Sequence, residues 1–199
     1  MPAVERIIED PRGTLVEYFA GFLADAEARA VRAELEQAGE RFDQDQVSLY
    51  GRTIPSPRLV CAFGDDGLRY RYAGVDRATH PWSPRLRAAR DEIAALAGHA
   101  FNYALVNWYR GGDDYIGWHS DKVSDLAPGS TIASLSLGAA RPFQLRERSG
   151  GAAREVVLAD GSLLLMRGTC QQYYKHCLPR RRGITGVRYN VTFRQVIAA

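Results

Sequence analysis

Along most of its C-terminal half the chain alternates apolar and polar residues, or runs briefly apolar, between breaks of Gly, Asp and Pro. The segments FNYALVNWY from Phe101, TIASLSL from Thr131, REVVL from Arg154, SLLLM from Ser162 and RYNVTFRQV from Arg188 all have this texture. It predicts short strands, because successive side chains on extended backbone point to opposite faces. Breaks at Gly111-Gly112, Pro128-Gly129, Gly150-Gly151 and Asp160-Gly161 predict the turns between them. Many short strands at this spacing fit a sandwich or jelly roll better than parallel βαβ units.

Toward the N-terminus the period changes. DAEARAVRAELEQAG, from about Asp25 to Gly39, predicts a helix with an Asp as cap candidate at its start and a Gly near its stop. A second helix is better marked: Ser83 can cap it, Pro84 suits its first position, Leu86, Ala89, Ile93 and Leu96 form one apolar stripe, and Gly98 ends it. Residues 50–80, rich in Tyr, Arg, Gly and Pro, predict surface loops and hairpins. The expected layout is one domain over 1–199, with an N-terminal helical portion at 1–49, a loop-and-hairpin region at 50–80 and an all-β core at 100–197. The fold class is mainly β with flanking helices.

Composition narrows this only a little. A chain of 199 residues, 46% apolar, can bury a core without metal or disulfide staples. Lys+Arg number 26 against 23 Asp+Glu, and this excess of +3 permits a nucleic-acid partner without arguing for one. Cys61, Cys170 and Cys177 are odd in number with no C-x-x-C spacing, which favours free thiols in a reducing compartment. No apolar run approaches membrane-spanning length and the first residues are charged, so a cytoplasmic protein is expected, with a monomer as the default.

The chemistry begins at WHSD. In extended backbone His119 and Asp121 project to the same side, so an imidazole and a carboxylate reach one point. A third ligand would complete a triad of two His and one carboxylate, which leaves positions open on Fe(II), and His176 is the best candidate. His80 precedes Pro81 in a loop, and His99 follows the Gly98 stop, where a cation suits a helix C-terminus. In the last strand Arg188, Asn190, Thr192 and Arg194 share one face. A solvated face would explain that, but two Arg flanking Asn and Thr can also hold a small dicarboxylate. Asn107 and Tyr109 share a face of an earlier strand and can add neutral hydrogen bonds.

Together Asn107-x-Tyr109, His119-x-Asp121, His176 and Arg188-Tyr-Asn-Val-Thr-Phe-Arg194 resemble the AlkB family of 2-oxoglutarate dioxygenases, as do SLSLGAARPF and GSLLLM between them. The resemblance covers roughly residues 45–196 and is strongest to the DNA-repair subgroup. It implies a double-stranded β-helix (jelly-roll) core with the N-terminal helices packed on it. It implies Fe(II) on His119, Asp121 and His176. It implies 2-oxoglutarate held by Asn107, Tyr109, Arg188 and Arg194, with Asn190 and Thr192 lining the same pocket and Arg188 expected on the distal carboxylate. O2 is the other cosubstrate. The implied reaction oxidises N-methyl groups of 1-methyladenine or 3-methylcytosine in alkylated DNA, releasing succinate and formaldehyde.

A base must leave its stack to reach such a site. The resemblance makes residues 50–80 a nucleotide-recognition region. Tyr70 and Tyr72 would stack on the base, Tyr50 would fill the vacated stack, and Arg52 and Arg58 would meet phosphate. Arg180-Arg181-Arg182 could do the same, or form a solvated loop. One departure concerns base choice: Val123 stands where repair relatives usually carry Asp or Glu, leaving Lys122 or Asp125 to compensate. Two alternatives keep the fold, namely the same chemistry on methylated RNA and a non-catalytic module that binds alkylated nucleic acid. A protein or lipid hydroxylase is disfavoured by the aromatic and Arg content of residues 50–72.

Overall fold

The computed structural model describes residues 3–49, 51–72 and 75–197, with 48, 49, 69–72 and 75–77 described as backbone. The chain opens with the hairpin β1 (Val4–Glu9) and β2 (Thr14–Phe19), followed by helix α1 (Asp25–Gln37). Next come β3 (Gln46–Leu49), β4 (Arg52–Pro55), β5 (Leu59–Gly64), β6 (Arg69–Tyr72) and β7 (Val75–Ala78), then helix α2 (Pro84–Ala97). The second half runs through β8 (Tyr103–Tyr109), β9 (Ile116–His119), β10 (Ile132–Gly138), β11 (Arg141–Glu147), β12 (Arg154–Leu158) and β13 (Leu163–Gly168). A single turn of helix, α3 (Cys170–Tyr173), leads into β14 (Tyr174–Leu178), and β15 (Arg188–Arg194) closes the fold.

Two antiparallel sheets face one another. The larger has strand order β1-β2-β13-β10-β15-β8-β5 and the smaller β12-β11-β14-β9. The chain passes repeatedly between them, as in the expected jelly roll. The pairs β3–β4 and β6–β7 stand apart as hairpins, as expected of the 50–80 region.

The larger sheet is buried on both faces, and its alternation decides what each face does. Tyr189, Val191 and Phe193 of β15, with Ala133 and Leu135 of β10, pack in one apolar cluster with Leu35 of α1 and Leu86 and Ile93 of α2. Fully burying side chains of this size contributes about 1.5–3 kcal/mol each. The opposite face packs Tyr103 and Leu105 of β8 and Leu164 and Met166 of β13 against Phe143, Leu145 and Leu158 of the smaller sheet. Within that inter-sheet layer lies the polar pocket.

Two expectations need correction. The N-terminal portion is not only helical: β1 and β2 extend the larger sheet, with β2 paired to β13 from Phe19↔Leu163 to Thr14↔Gly168. Six-residue strands of this kind take their meaning from the distant strand they join. Nor is all of 50–80 surface. β5 is buried almost throughout and pairs with β8 from Leu59↔Trp108 to Gly64↔Tyr103. α1 starts at Asp25 with Ala24 as its cap, so Asp25 is its first residue and not its cap. α2 matches the expectation, with Pro84 first and Gly98 closing it at φ 80, a left-handed conformation that glycine adopts without strain.

Candidate metal and cosubstrate pocket

His119 ends β9 and His176 sits in β14, and the two residues are direct cross-strand partners. Their rings meet edge-on with centroids 4.3 Å apart. Asp121 lies just past the end of β9, where the chain leaves the sheet, and one carboxylate oxygen approaches His119 Nε2 at 3.9 Å. Ligand atoms of all three residues lie within 4.8 Å of one another.

Hydrogen bonds hold the set in a ligating state. His119 Nδ1 donates to the Gly117 carbonyl at 2.8 Å, which leaves Nε2 with its lone pair. Burial lowers the pKa of His119, opposed by Asp121. Burial and the neighbouring His119 push His176 down to about 3. Burial alone would raise the Asp121 carboxyl, but Arg194 and the two imidazoles outweigh it and hold it at about 2. Near neutral pH the cluster is therefore two neutral imidazoles and one carboxylate, the protonation a divalent cation needs. Two nitrogens and an oxygen converging on one point suit Fe(II) in a facial triad.

The floor of the pocket is the polar face of β15 with its neighbours. Arg188, Asn190, Thr192 and Arg194 all line it, joined by Asn107 and Tyr109 from β8. Register explains the grouping, since Arg188 pairs with Tyr109, and Asn190 with Asn107. The two arginines differ. Arg194 donates to Asp121 Oδ2 at 2.8 Å, both side chains being almost fully buried. Arg188 is 1% exposed and, among the described residues, bonds only neutral oxygens, Ser136 Oγ at 2.8 Å and the Leu158 carbonyl at 3.5 Å. Its Nε has no partner, and burial lowers its pKa to about 10. A buried cation of this kind asks for an anionic acceptor. Asn190 is already engaged, its amide donating to Ser134 Oγ at 2.7 Å and to the Leu135 carbonyl at 3.1 Å, and Thr192 Oγ1 donates to Asn190 Oδ1.

The other expected site residues divide. Arg58 is not a surface residue: it is 8% exposed, with Nε donating to Asn107 Oδ1 at 2.7 Å and Nη1 to Ser56 Oγ at 3.1 Å. Two of its donors are engaged inside the protein, and it leaves the Asn107 NH2 as the end available to the pocket. Tyr50 and the side chains of Tyr70 and Tyr72 lie outside the described residues; the backbone of Tyr70 and Tyr72 runs in β6. Arg180 donates to Asp113 at 2.7 Å and Arg181 reaches Glu155 at 3.5 Å, so that basic run is partly paired. Lys122 and Asp125 bind one another at 2.9 Å, beside Val123 at 55% exposure, so neither is poised to replace a base-reading carboxylate. His99 accepts from the Thr131 backbone at 2.9 Å, a structural post.

Residues with no sequence signal also belong here. Phe143 of β11 stacks on His176 with centroids 5.4 Å apart and lines the pocket. Gln171 accepts from the Asp121 main-chain N–H at 2.9 Å.

A jelly roll with two His and one carboxylate beside an arginine-lined polar pocket defines a class, the 2-oxoglutarate oxygenases. The family model of the 2OG-Fe(II) oxygenase superfamily matches residues 15–194, and the chain belongs to that superfamily. It is an Fe(II)- and 2-oxoglutarate-dependent dioxygenase of AlkB type, with O2 as its second cosubstrate. Among particular relatives, it is 40% identical over 182 residues to DNA oxidative demethylase ALKBH2 of Mus musculus, covering 86% of this chain and 76% of that one. It is 36% identical over 154 residues to alpha-ketoglutarate-dependent dioxygenase alkB homolog 3 of Rattus norvegicus, covering 72% and 53%. The solved structure of OsALKBH1 shares the fold, with a TM-score of 0.66 at 18% identity, covering 97% of this chain and 100% of that one.

Proposed function

We propose that this chain is a nucleic-acid oxidative demethylase that repairs DNA directly, removing N-methyl groups from bases of the 1-methyladenine and 3-methylcytosine type. The observation that carries the reading is a pocket lined by His119, Asp121 and His176 and by the buried Arg188, which has no carboxylate partner among the described residues. The 40% identity to a mouse protein named a DNA oxidative demethylase supports the substrate class.

In this reading His119, Asp121 and His176 hold Fe(II). Arg188 and Tyr109 take the distal carboxylate of 2-oxoglutarate, because Arg194 is already committed to Asp121. The Asn107 NH2, oriented by Arg58, donates to the other end of the cosubstrate. Asn190 and Thr192 keep the floor polar and rigid. Fe(II) held by the three ligands would supply, with O2 and 2-oxoglutarate, the oxidation of an N–CH3 to N–CH2OH, with succinate and CO2 as coproducts; loss of formaldehyde and a proton would then restore the unmethylated ring nitrogen. Phe143, Leu158, Met166 and Leu178 supply the apolar wall that limits water near the reacting methyl.

The base enters flipped from its stack or from a single strand. The hairpins β3–β4 and β6–β7 present it, with Tyr70 and Tyr72 as stacking surfaces, Tyr50 as the wedge and Arg52, exposed on β4, toward phosphate. Incubation with Fe(II), 2-oxoglutarate, air and matched DNA and RNA oligonucleotides carrying either lesion tests this. The expected result is faster loss of a methyl group from DNA, absent in His119→Ala. Faster turnover of RNA would change the substrate, and no turnover of either would leave a binding module.

A further inference from the structure

Asp121 lies beyond the last ladder pair of β9, so its main-chain N–H has no strand partner, yet the residue is buried. A buried N–H left unsatisfied is unfavourable. Gln171 supplies the acceptor, its Oε1 lying 2.9 Å from that N–H. An N–H only donates, so the amide oxygen must face it, and the NH2 then falls on the Met166 sulfur at 3.4 Å. Ser120 Oγ adds a second clasp, donating to the Tyr174 carbonyl at 2.7 Å. The backbone of residues 120–121 is thus pinned to α3 and β14, and Arg194 holds one carboxylate oxygen. The other oxygen is left toward His119.

We propose that Gln171 is a positioning residue for the metal, setting the direction of the Asp121 carboxylate through its main-chain N–H. This rests on the reading of His119, Asp121 and His176 as ligands. Gln171 does not line the metal pocket. It walls a neighbouring cavity of about 240 Å³ with Val123, Leu126 and Ile132, so its direct link to the ligand set is the Asp121 N–H, and that cavity gives substitutions room.

The test is anaerobic Mn(II) titration of the full chain, with thermal midpoints recorded with and without metal. Gln171→Leu removes the acceptor, Gln171→Asn keeps polarity but lacks the reach, and Gln171→Glu keeps an acceptor at full length. Outer residues of this kind change metal affinity about 10–100-fold. The Leu and Asn variants are expected to bind Mn(II) that much more weakly and to lose most of the metal-induced rise in midpoint, while Glu restores most of the affinity. Affinity at the parent level in Leu and Asn, or a lowered metal-free midpoint with the metal-induced rise intact, would overturn the proposal and leave Gln171 a packing residue. His119→Ala separates the two readings: if it binds Mn(II) like the parent, the ligand assignment has failed and not the role of Gln171.

Discussion

Arg188 is fully buried, and no carboxylate among the described residues forms an ion pair with it. Keeping such a charge is unfavourable in the metal- and cosubstrate-free protein, because desolvation is offset only by neutral acceptors. Arg188→Met is therefore expected to raise the thermal midpoint of the ligand-free protein while weakening 2-oxoglutarate binding. Truncating one side of a buried charge pair costs about 2–5 kcal/mol, so the apparent KM for 2-oxoglutarate should rise at least about 30-fold. A 2-oxoglutarate titration and a melting curve check both parts, and an unchanged KM would show that the distal carboxylate is held elsewhere. The place of Arg188 on the pocket face was legible because the period of two in β15 separates Arg188, Asn190, Thr192 and Arg194 from the apolar residues between them. Arg58 was not: its burial comes from a bond to Asn107, 49 positions along the chain, and no local pattern distinguishes it from a surface Arg. Gln171 was hidden for the same reason, since its partner is the backbone of a residue 50 positions away.

At the scale of elements, α2 shows how tertiary contacts replace local signals. Ser83 occupies the cap position, but its hydroxyl makes no capping bond. The carboxylate of Glu34 in α1 reaches across instead and accepts from the Arg85 N–H at 3.0 and 3.2 Å. This satisfies one of the orphan donors of the first turn and sets a negative charge at the positive end of the helix. Glu34→Ala is expected to lower stability by about 1 kcal/mol, as loss of a cap does, whereas Ser83→Ala should be nearly neutral. Denaturant unfolding of the two variants checks this, and the reverse order would restore Ser83 as the cap. The sequence marked α2 well, because its stripe and its Gly98 stop are local. It did not mark β1, β2, β11 or β14 as strands. Their alternation is short or interrupted, and they become strands by pairing with β13, β12 and β9.

Across the whole molecule, the turn between β1 and β2 ties the two sheets together. Arg12 donates to Asp10 at 2.7 Å and to Glu147 at 3.1 Å, and stacks over the Tyr173 ring at 4.7 Å. The Arg12 guanidinium holds the Asp10 carboxyl at about 2, below its ordinary 3.8, and it also lowers Glu147. A carboxylate with a depressed folded pKa adds stability above its unfolded pKa and loses that stability as pH falls through the folded value. Acid destabilisation between about pH 4 and pH 2 should therefore be shallower in Asp10→Asn than in the parent, the two curves running parallel above about pH 4 and converging as pH falls toward 2. Parallel curves between about pH 4 and pH 2 as well would remove the network from the acid response.

The central claim joins this fold to one reaction, and a single-turnover experiment tests it most directly. The protein is loaded with Fe(II) and one equivalent of 2-oxoglutarate, mixed with a DNA oligonucleotide carrying 1-methyladenine, and exposed to O2. Succinate, formaldehyde and demethylated oligonucleotide should form in equal amounts, with none in His119→Ala. Succinate without formaldehyde would contradict the substrate, and no succinate under any condition would contradict the site itself.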